Sequence, residues 1–266
     1  MNNFTKRILS GLLYVIIFVG ATLYSKESYM ILIGLFMVGV IFEFSKLINY
    51  KSIISYLLIL VPPLFFVASN TFSEKRMLLL LAVTLACSVR LIFQLFQKKT
   101  NVPKITLDKI DITLRYVIFP FYFLAILPFI DAIYTPMISI AMLILIWVND
   151  SFAFLVGKNF GKRKLFESIS PKKTIEGFIG GLIFSLIAAF IISLNNPVFS
   201  IINWLLFALI TSVFGTIGDL VESKFKRQAG VKDSGTIMPG HGGLLDRLDS
   251  VLFVAPFVYL YIHYLI

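Results

Sequence analysis

Four aspartates carry most of the chemistry this sequence can offer: Asp150, Asp219, Asp246 and Asp249. Asp150 follows the apolar run MLILIWVN, Asp219 follows Gly218 at the end of another such run, and Asp246 and Asp249 head the last one at i, i+3 spacing. A carboxylate inserted unpaired into a bilayer costs about 2.5–3.5 kcal/mol, so acids in these places need a cation. Lysines and arginines crowd the same stretches. Hard oxygen ligands beside many basic groups suit magnesium carrying a polyphosphate. Zinc held by sulfur is excluded, because Cys87 is the only cysteine and lies in an apolar segment. A structural reading also stands for some of these groups. It pairs Asp150 with a cation on a neighbouring helix, Arg90 being one, and makes Glu222 and Lys226 an i,i+4 ion pair.

Two polar tracts hold the rest. The first, DSFAFLVGKNFGKRKLFESISPKKTIEGFIGG, runs from Asp150 to Gly181. Its GKNFGKR is not a Walker A loop: three residues separate the glycines where four are required, and Arg follows Lys where Ser or Thr should stand. Ser170-Pro171-Lys172-Lys173-Thr174 reads as a helix start with Pro at the first helical position, its free N–H groups and two lysines facing an anion. The competing reading is a capped helix with ordinary cytoplasmic lysines. Gly177, Gly180 and Gly181 by themselves mean close helix packing. The second tract runs from Gly215 to Ser250, and a helix would put Asp219, Glu222 and Lys226 on one face. Within it, Pro239-Gly240-His241-Gly242-Gly243 lets the backbone turn sharply and approach an anion. His241 is a candidate phosphate contact or a solvated loop histidine, and His263 an interfacial residue.

The elements that must position these residues are membrane helices. The chain of 266 residues is 58% hydrophobic and 14% charged, against roughly 25% charged in a soluble domain. Apolar runs occur from end to end with no linker, so the sequence predicts one all-α, polytopic membrane domain over residues 1–266. Nine segments approach the length of a span: 8–24, 29–48, 53–69, 77–97, 114–131, 136–156, 176–194, 199–218 and 251–266. Residues 1–135 hold the amino-terminal spans and 136–266 the spans that carry the candidate site. Lys6 and Arg7 mimic a signal peptide, but the run after them is too long and lacks a cleavage site, so it reads as a retained first span. With the amino terminus inside, every Lys and Arg except Lys26, Lys75, Arg76 and Arg90 falls in an inside segment. The carboxyl terminus is then outside and the loops 157–175 and 219–250 are cytoplasmic. The net charge of +10 therefore points to anionic headgroups and phosphates rather than nucleic acid. No repeat of the transporter kind is visible.

At this point the chain resembles the phosphatidate cytidylyltransferases, the CDP-diacylglycerol synthases. Ser223, Phe225, Lys226, Arg227, Lys232, Asp233, Pro239 to Leu244, Asp246, Arg247, Leu248 and Asp249 match that family's carboxyl-terminal signature. Asp150, Ala153 and Gly157, with the Ser170 to Gly177 segment, resemble the wider group of CTP-using membrane transferases, whereas the first five spans match only in hydropathy. The resemblance implies that CTP and phosphatidic acid give CDP-diacylglycerol and pyrophosphate at the cytoplasmic side of a bacterial plasma membrane, in a homodimer, with one or two magnesium ions. It implies Asp219 and Asp246 as principal metal ligands, Asp249 and Asp150 as further ligands or their holders, and Lys226, Arg227 and Lys232 as phosphate clamps. Ser170, Lys172, Lys173, Thr174 and His241 fall near the nucleotide. Two other readings remain open: a CTP-dependent polyprenol or phytol kinase, which would need a base for its alcohol, and an ion-coupled transporter, whose acids should lie near the bilayer midplane.

Overall fold

The computed structural model describes residues 3–63, 74–97, 103 and 105–266. The expected span over 53–69 lies partly outside these residues, and Lys98, Lys99 and Lys104 lie wholly outside them. The chain is mostly helical. Among the described residues, six helices are long and apolar enough to cross a membrane: Lys26–Leu47, Glu74–Leu95, Pro136–Phe160, Ile175–Asn195, Ile201–Gln228 and Leu245–Leu265. A further helix covers Asn3–Tyr24, and Thr106–Ile112 continues through a π-helical turn at Thr113–Ile118 into Phe119–Ile126. Two short antiparallel hairpins interrupt the helices, Phe129–Ile130 (β1) with Ile133–Tyr134 (β2), and Lys164–Phe166 (β3) with Ser170–Thr174 (β4).

The second hairpin corrects one expectation. Ser170 to Thr174 is extended, and the helix begins at Ile175, four residues after Pro171. A threonine at the boundary supplies what the proline could not: the Thr174 hydroxyl accepts a hydrogen bond from the Gly177 N–H at 3.1 Å, satisfying one of the free donors of the first turn. Two helices also run past their hydropathic limits. Ile201–Gln228 outlasts the expected end at 218, and its last turn carries Lys226 and Arg227, where cations oppose the helix dipole. The last helix begins at Leu245 rather than 251, with Asp246 in its first turn, the complementary arrangement.

The described chain divides into two compact units. The first comprises Met1–Ile126 and Lys224–Leu248. Its core includes the rings of Phe44, Tyr116 and Phe225, with centroids 5.2–5.4 Å apart. The Tyr29 hydroxyl donates to the Leu124 carbonyl at 2.5 Å, so the helices Lys26–Leu47 and Phe119–Ile126 are tied. Lys224 donates to the carbonyls of Gln94 and Gln97, the latter at 2.8 Å, and so closes the carboxyl end of Glu74–Leu95 with a cation.

The second unit comprises Leu127–Ser223 and Asp249–Ile266. Its centre is the pairing of Pro136–Phe160 with Ile175–Asn195, and the glycines explain how close that pairing is. A Cβ on Gly177 would stand 2.6 Å from the Ala153 carbonyl oxygen, and one on Gly181 would stand 2.5 Å from that of Asn149. In the Asp150-Ala153-Gly157 pattern, Ala153 and Gly157 therefore serve packing, as the spacing of Gly177, Gly180 and Gly181 suggests. Gly181→Val should destabilise the protein by roughly 2–3 kcal/mol through overpacking against backbone that has no room to move. Thermal unfolding of the detergent-solubilised protein measures it, and an unchanged midpoint would contradict this packing.

Candidate active site

The second unit gathers its charges at the foot of the paired helices. Glu176, in the first turn of Ile175–Asn195, accepts hydrogen bonds from the Lys162 and Arg163 N–H groups at 2.9 and 3.1 Å and from Arg163 Nε at 3.0 Å. Lys164 Nζ donates to the Pro171 carbonyl at 2.7 Å across the hairpin. The loop is thereby fixed to the helix start, and β4 delivers Lys173 to Asp219, Nζ to Oδ2 at 2.6 Å. Asp219 Oδ1 accepts from the Ser223 hydroxyl one turn further on, at 3.1 Å.

Two more carboxylates act on the same ammonium. Burial pulls Lys173 toward its neutral form, but the charge and hydrogen bond of Asp219, then the charges of Asp150 and Asp249, outweigh it and hold its pKa above the ordinary lysine value. Asp249 is buried, and its Oδ1 accepts the Ser250 N–H at 2.7 Å. Gly218 permits its approach, because a Cβ there would stand 2.9 Å from the Asp249 carbonyl oxygen and 2.6 Å from Phe253 Cβ. Asn149 Nδ2 lies 3.4 Å from both Asp150 Oδ1 and Thr216 Oγ1, and so holds the Asp150 turn against Ile201–Gln228.

The first unit contains the other cluster, built around Asp246. Its Oδ1 accepts from Lys226 Nζ at 2.6 Å, and its Oδ2 accepts from the Gly243 N–H at 2.7 Å, the Ser234 N–H at 2.9 Å and the Ser234 hydroxyl at 3.0 Å. The side chains of this ion pair are only 11% and 6% exposed. The glycines of 239–243 divide the labour. Gly240 and Gly242 have φ of +79° and +89°, which favours glycine, while a Cβ on Gly243 would stand 2.1 Å from Ser234 Oγ. The anion that this loop closely approaches is thus the protein's own carboxylate.

Each cluster by itself presents an acid held by a lysine at a helix end. The profile of the cytidylyltransferase family matches residues 5–265. The chain belongs to the cytidylyltransferase family. It is 39% identical over 269 residues to the phosphatidate cytidylyltransferase of Bacillus subtilis (strain 168), an alignment covering 97% of each chain. Over 115 residues it is 56% identical to proteins of the same name from Staphylococcus haemolyticus (strain JCSC1435) and Staphylococcus aureus (strain COL), covering 42% of this chain and 44% of theirs. The likeness takes in the amino-terminal helices as well as the carboxyl-terminal signature.

The other expected site residues fall in varied settings. Lys172 and Lys232 are exposed and Ser170 is half-buried, whereas Thr174 is buried as the helix cap. Arg227 is exposed and donates to the Val231 carbonyl at 3.1 Å. His241 is not a solvated loop residue. Its Nδ1 lies 2.7 Å from the hydroxyl of Ser10, which also reaches the Pro239 carbonyl at 3.0 Å, and Arg247 donates to the His241 carbonyl at 3.1 Å. Lys226 ends on Asp246, so the Glu222–Lys226 pair is not needed to account for it.

Sequence reading passed over Ser10, Glu43, Asn149, Glu176 and Ser234. One signal was present: Glu43 is a lone acid deep in an apolar run, and the insertion penalty that singled out Asp150 applies to it equally. Serines and asparagines carry no such signal.

A hard divalent cation suits the second unit's donors. Lys173 places a positive charge under the influence of three carboxylates, so the ammonium is a stand-in for a cation among hard oxygen ligands. Among the described residues no three acidic, histidine or cysteine side chains converge closely enough to hold an ion as they stand. In charge and donor type these acids suit a hard cation, but as placed they do not form a ligand set for one.

Removing Lys226 alone leaves Asp246 enclosed without its cation. Lys226→Met should lose about 3 kcal/mol of stability, and adding Asp246→Asn should restore part of that loss. Denaturant or thermal unfolding of the two single variants and the double variant measures the coupling, and simple additivity would show that the pair is not coupled.

Proposed function

We propose that the protein transfers CMP from CTP to phosphatidic acid, giving CDP-diacylglycerol and pyrophosphate. The observation that carries this reading is the Lys173–Asp219 pair under the charges of Asp150 and Asp249, in a chain aligned almost end to end with a protein named phosphatidate cytidylyltransferase. A phosphate oxygen of the lipid attacks the α-phosphorus of CTP, the bond from that phosphorus to the bridging oxygen breaks, and pyrophosphate leaves. The nucleophile is already an anion, so no side chain need remove a proton. What opposes the reaction is repulsion between two anions and charge growing on the leaving group.

The residues answer that barrier directly. Lys173 and Lys226, each held by a carboxylate, are the proposed positive charges for phosphate oxygens, with Lys172, Lys232 and Arg227 as further donors. Ser170, Thr174 and His241 belong to the nucleotide side of the reaction. Bound magnesium would supply Lewis-acid stabilisation of phosphoryl charge. Asp219, Asp249 and Asp150 are the residues that would hold it, and Asp246 is assigned to the same task on the sequence argument. The acyl chains of the substrate remain in the bilayer while its headgroup meets soluble CTP.

Asp246 also anchors Ser234, Gly243 and Lys226, so its replacement mixes folding with chemistry. Asp219 gives the cleaner test. Purified protein with magnesium should convert labelled CTP and phosphatidic acid to lipid-linked CMP and pyrophosphate, and Asp219→Asn should lower turnover on the order of 100-fold while the protein stays folded. Chelation should abolish turnover and added magnesium restore it. Release of CDP in place of pyrophosphate would establish the lipid-alcohol kinase instead, and ion flux without turnover would establish a transporter.

The same proposal takes the chain nine times across a bacterial plasma membrane, with the amino terminus and the 157–175 and 219–250 loops in the cytoplasm. The placement of basic residues supports it. In a Cys87→Ser background, Lys26→Cys should react with a membrane-impermeant maleimide in intact cells and Lys232→Cys only after permeabilisation. The opposite pattern would invert the topology.

A further inference from the structure

Glu43 is the one acid of Lys26–Leu47 that is fully enclosed, at 0% exposure, and it lies far in sequence from every residue matched to the carboxyl-terminal signature. Its Oε2 accepts the Leu245 N–H at 2.8 Å and lies 3.3 Å from the Ser234 hydroxyl. That same hydroxyl lies 3.0 Å from Asp246 Oδ2. One serine thus links the two carboxylates, and Glu43 also engages the first residue of the helix that carries Asp246. Helix amino termini leave free N–H groups that an acceptor must satisfy. Here the acceptor for Leu245 comes from a helix 202 residues away in sequence.

The backbone around Glu43 is shaped to admit it. A Cβ on Gly235 would stand 2.2 Å from Glu43 Oε1 and 2.6 Å from its Cδ, and a Cβ on Gly243 would stand 2.5 Å from Oε2. Two glycines therefore leave the space that this carboxyl group fills. The φ of Gly235 is not positive, so close approach rather than chain reversal is its reason for being glycine. Within the same unit, Leu244 packs on the neighbouring turn, its Cδ2 2.8 Å from where a Cβ on Gly39 would stand. The amino-terminal helix accordingly meets the segment before Asp246 through both an apolar and a polar contact.

We infer that Glu43 is a positioning residue for the transfer reaction: through Leu245 and Ser234 it fixes the orientation of Asp246 and of the loop before it. The inference rests on the reading of Asp246 as part of the reacting site. Groups that orient a functional carboxylate or ligand commonly alter activity by roughly 10- to 100-fold when removed, and without Glu43 the buried Leu245 N–H loses its acceptor.

The test uses full-length protein with Glu43→Ala, Glu43→Gln and Gly235→Ala. Glutamine keeps one acceptor oxygen for Leu245 and Ser234 and nearly the same shape. Glu43→Ala should lower kcat roughly 10- to 100-fold with KM for CTP changed less than about threefold, and Glu43→Gln should recover most of the loss. Gly235→Ala should reproduce the alanine defect with Glu43 still present, because its new methyl group displaces the carboxyl. Hydrogen–deuterium exchange over 234–248 gives a readout independent of turnover: exchange should quicken in Glu43→Ala and Gly235→Ala and stay near wild type in Glu43→Gln. Wild-type kcat in folded Glu43→Ala would overturn the inference, as would activity lost only in proportion to unfolded protein. Exchange unchanged in both Glu43→Ala and Gly235→Ala would overturn it as well, as would a folded Glu43→Gln as slow as Glu43→Ala. Wild-type protein that made no lipid-linked CMP would instead refute the proposed reaction, while the exchange result would still report on Glu43.

Discussion

A carboxylate enclosed among apolar helices is costly until hydrogen bonds and opposite charge engage it, and this cost shapes the loop around Asp246. Asp246 shows it most fully. One oxygen takes the Lys226 ammonium, while the other takes two backbone N–H groups and a hydroxyl. Satisfying the second oxygen draws Gly243 and Ser234 onto one point, and the loop between them has to close around it. The positive φ of Gly240 and Gly242 follows from that closure. Charge, loop shape and the start of the last helix are therefore consequences of one group's need for partners.

The second unit meets the same demand in a different way. Asp150 and Asp219 are less enclosed, and the cation that pairs with Asp219 arrives on a hairpin rather than a helix. That hairpin depends on Glu176, which takes both N–H groups at its near end, and on Thr174, which ends the strand and begins the helix in one residue. The close pairing of Pro136–Phe160 with Ile175–Asn195 then determines where the hairpin emerges. Small residues at Ala153, Gly157, Gly177 and Gly181 are thus as necessary to the Lys173–Asp219 contact as the charges themselves, although none of them touches it.

How much of this could be read from the sequence depended on whether a residue's cost or its pattern exposed it. Acids at the ends of apolar runs stood out because they are expensive there, and Asp219 and Asp246 do end on lysines. Closely spaced glycines announced tight backbone, and Gly177 and Gly181 provide it. Pro171 misled, because proline suits both a first helical turn and an edge strand, and local preference did not reveal that Thr174 would be the cap. Hydropathy located the bilayer-length part of Ile201–Gln228 but not its polar last turns, which packing and capping sustain. Ser10 and Ser234 were invisible for another reason: a serine's partner is fixed by contacts more than two hundred residues away, or by a loop whose path only the folded chain supplies.

The amino-terminal helices change meaning once the signature segment is placed among them. Hydropathy alone makes them anchors, interchangeable with any apolar spans of similar length. Yet Ser10 engages His241, a Cβ on Gly11 would stand 3.0 Å from that ring, Leu244 fits against Gly39, and Glu43 holds Leu245 and Ser234. Residues 224–248 belong to the same compact unit as residues 1–126. An anchor could exchange one apolar residue for another freely, but a wall built to receive a histidine, a leucine and a serine at fixed positions could not. This accounts physically for a family likeness that extends over 5–265 instead of stopping at the polar tracts: the carboxyl-terminal residues that resemble a catalytic signature hold their shape only against the helices that come first in the chain.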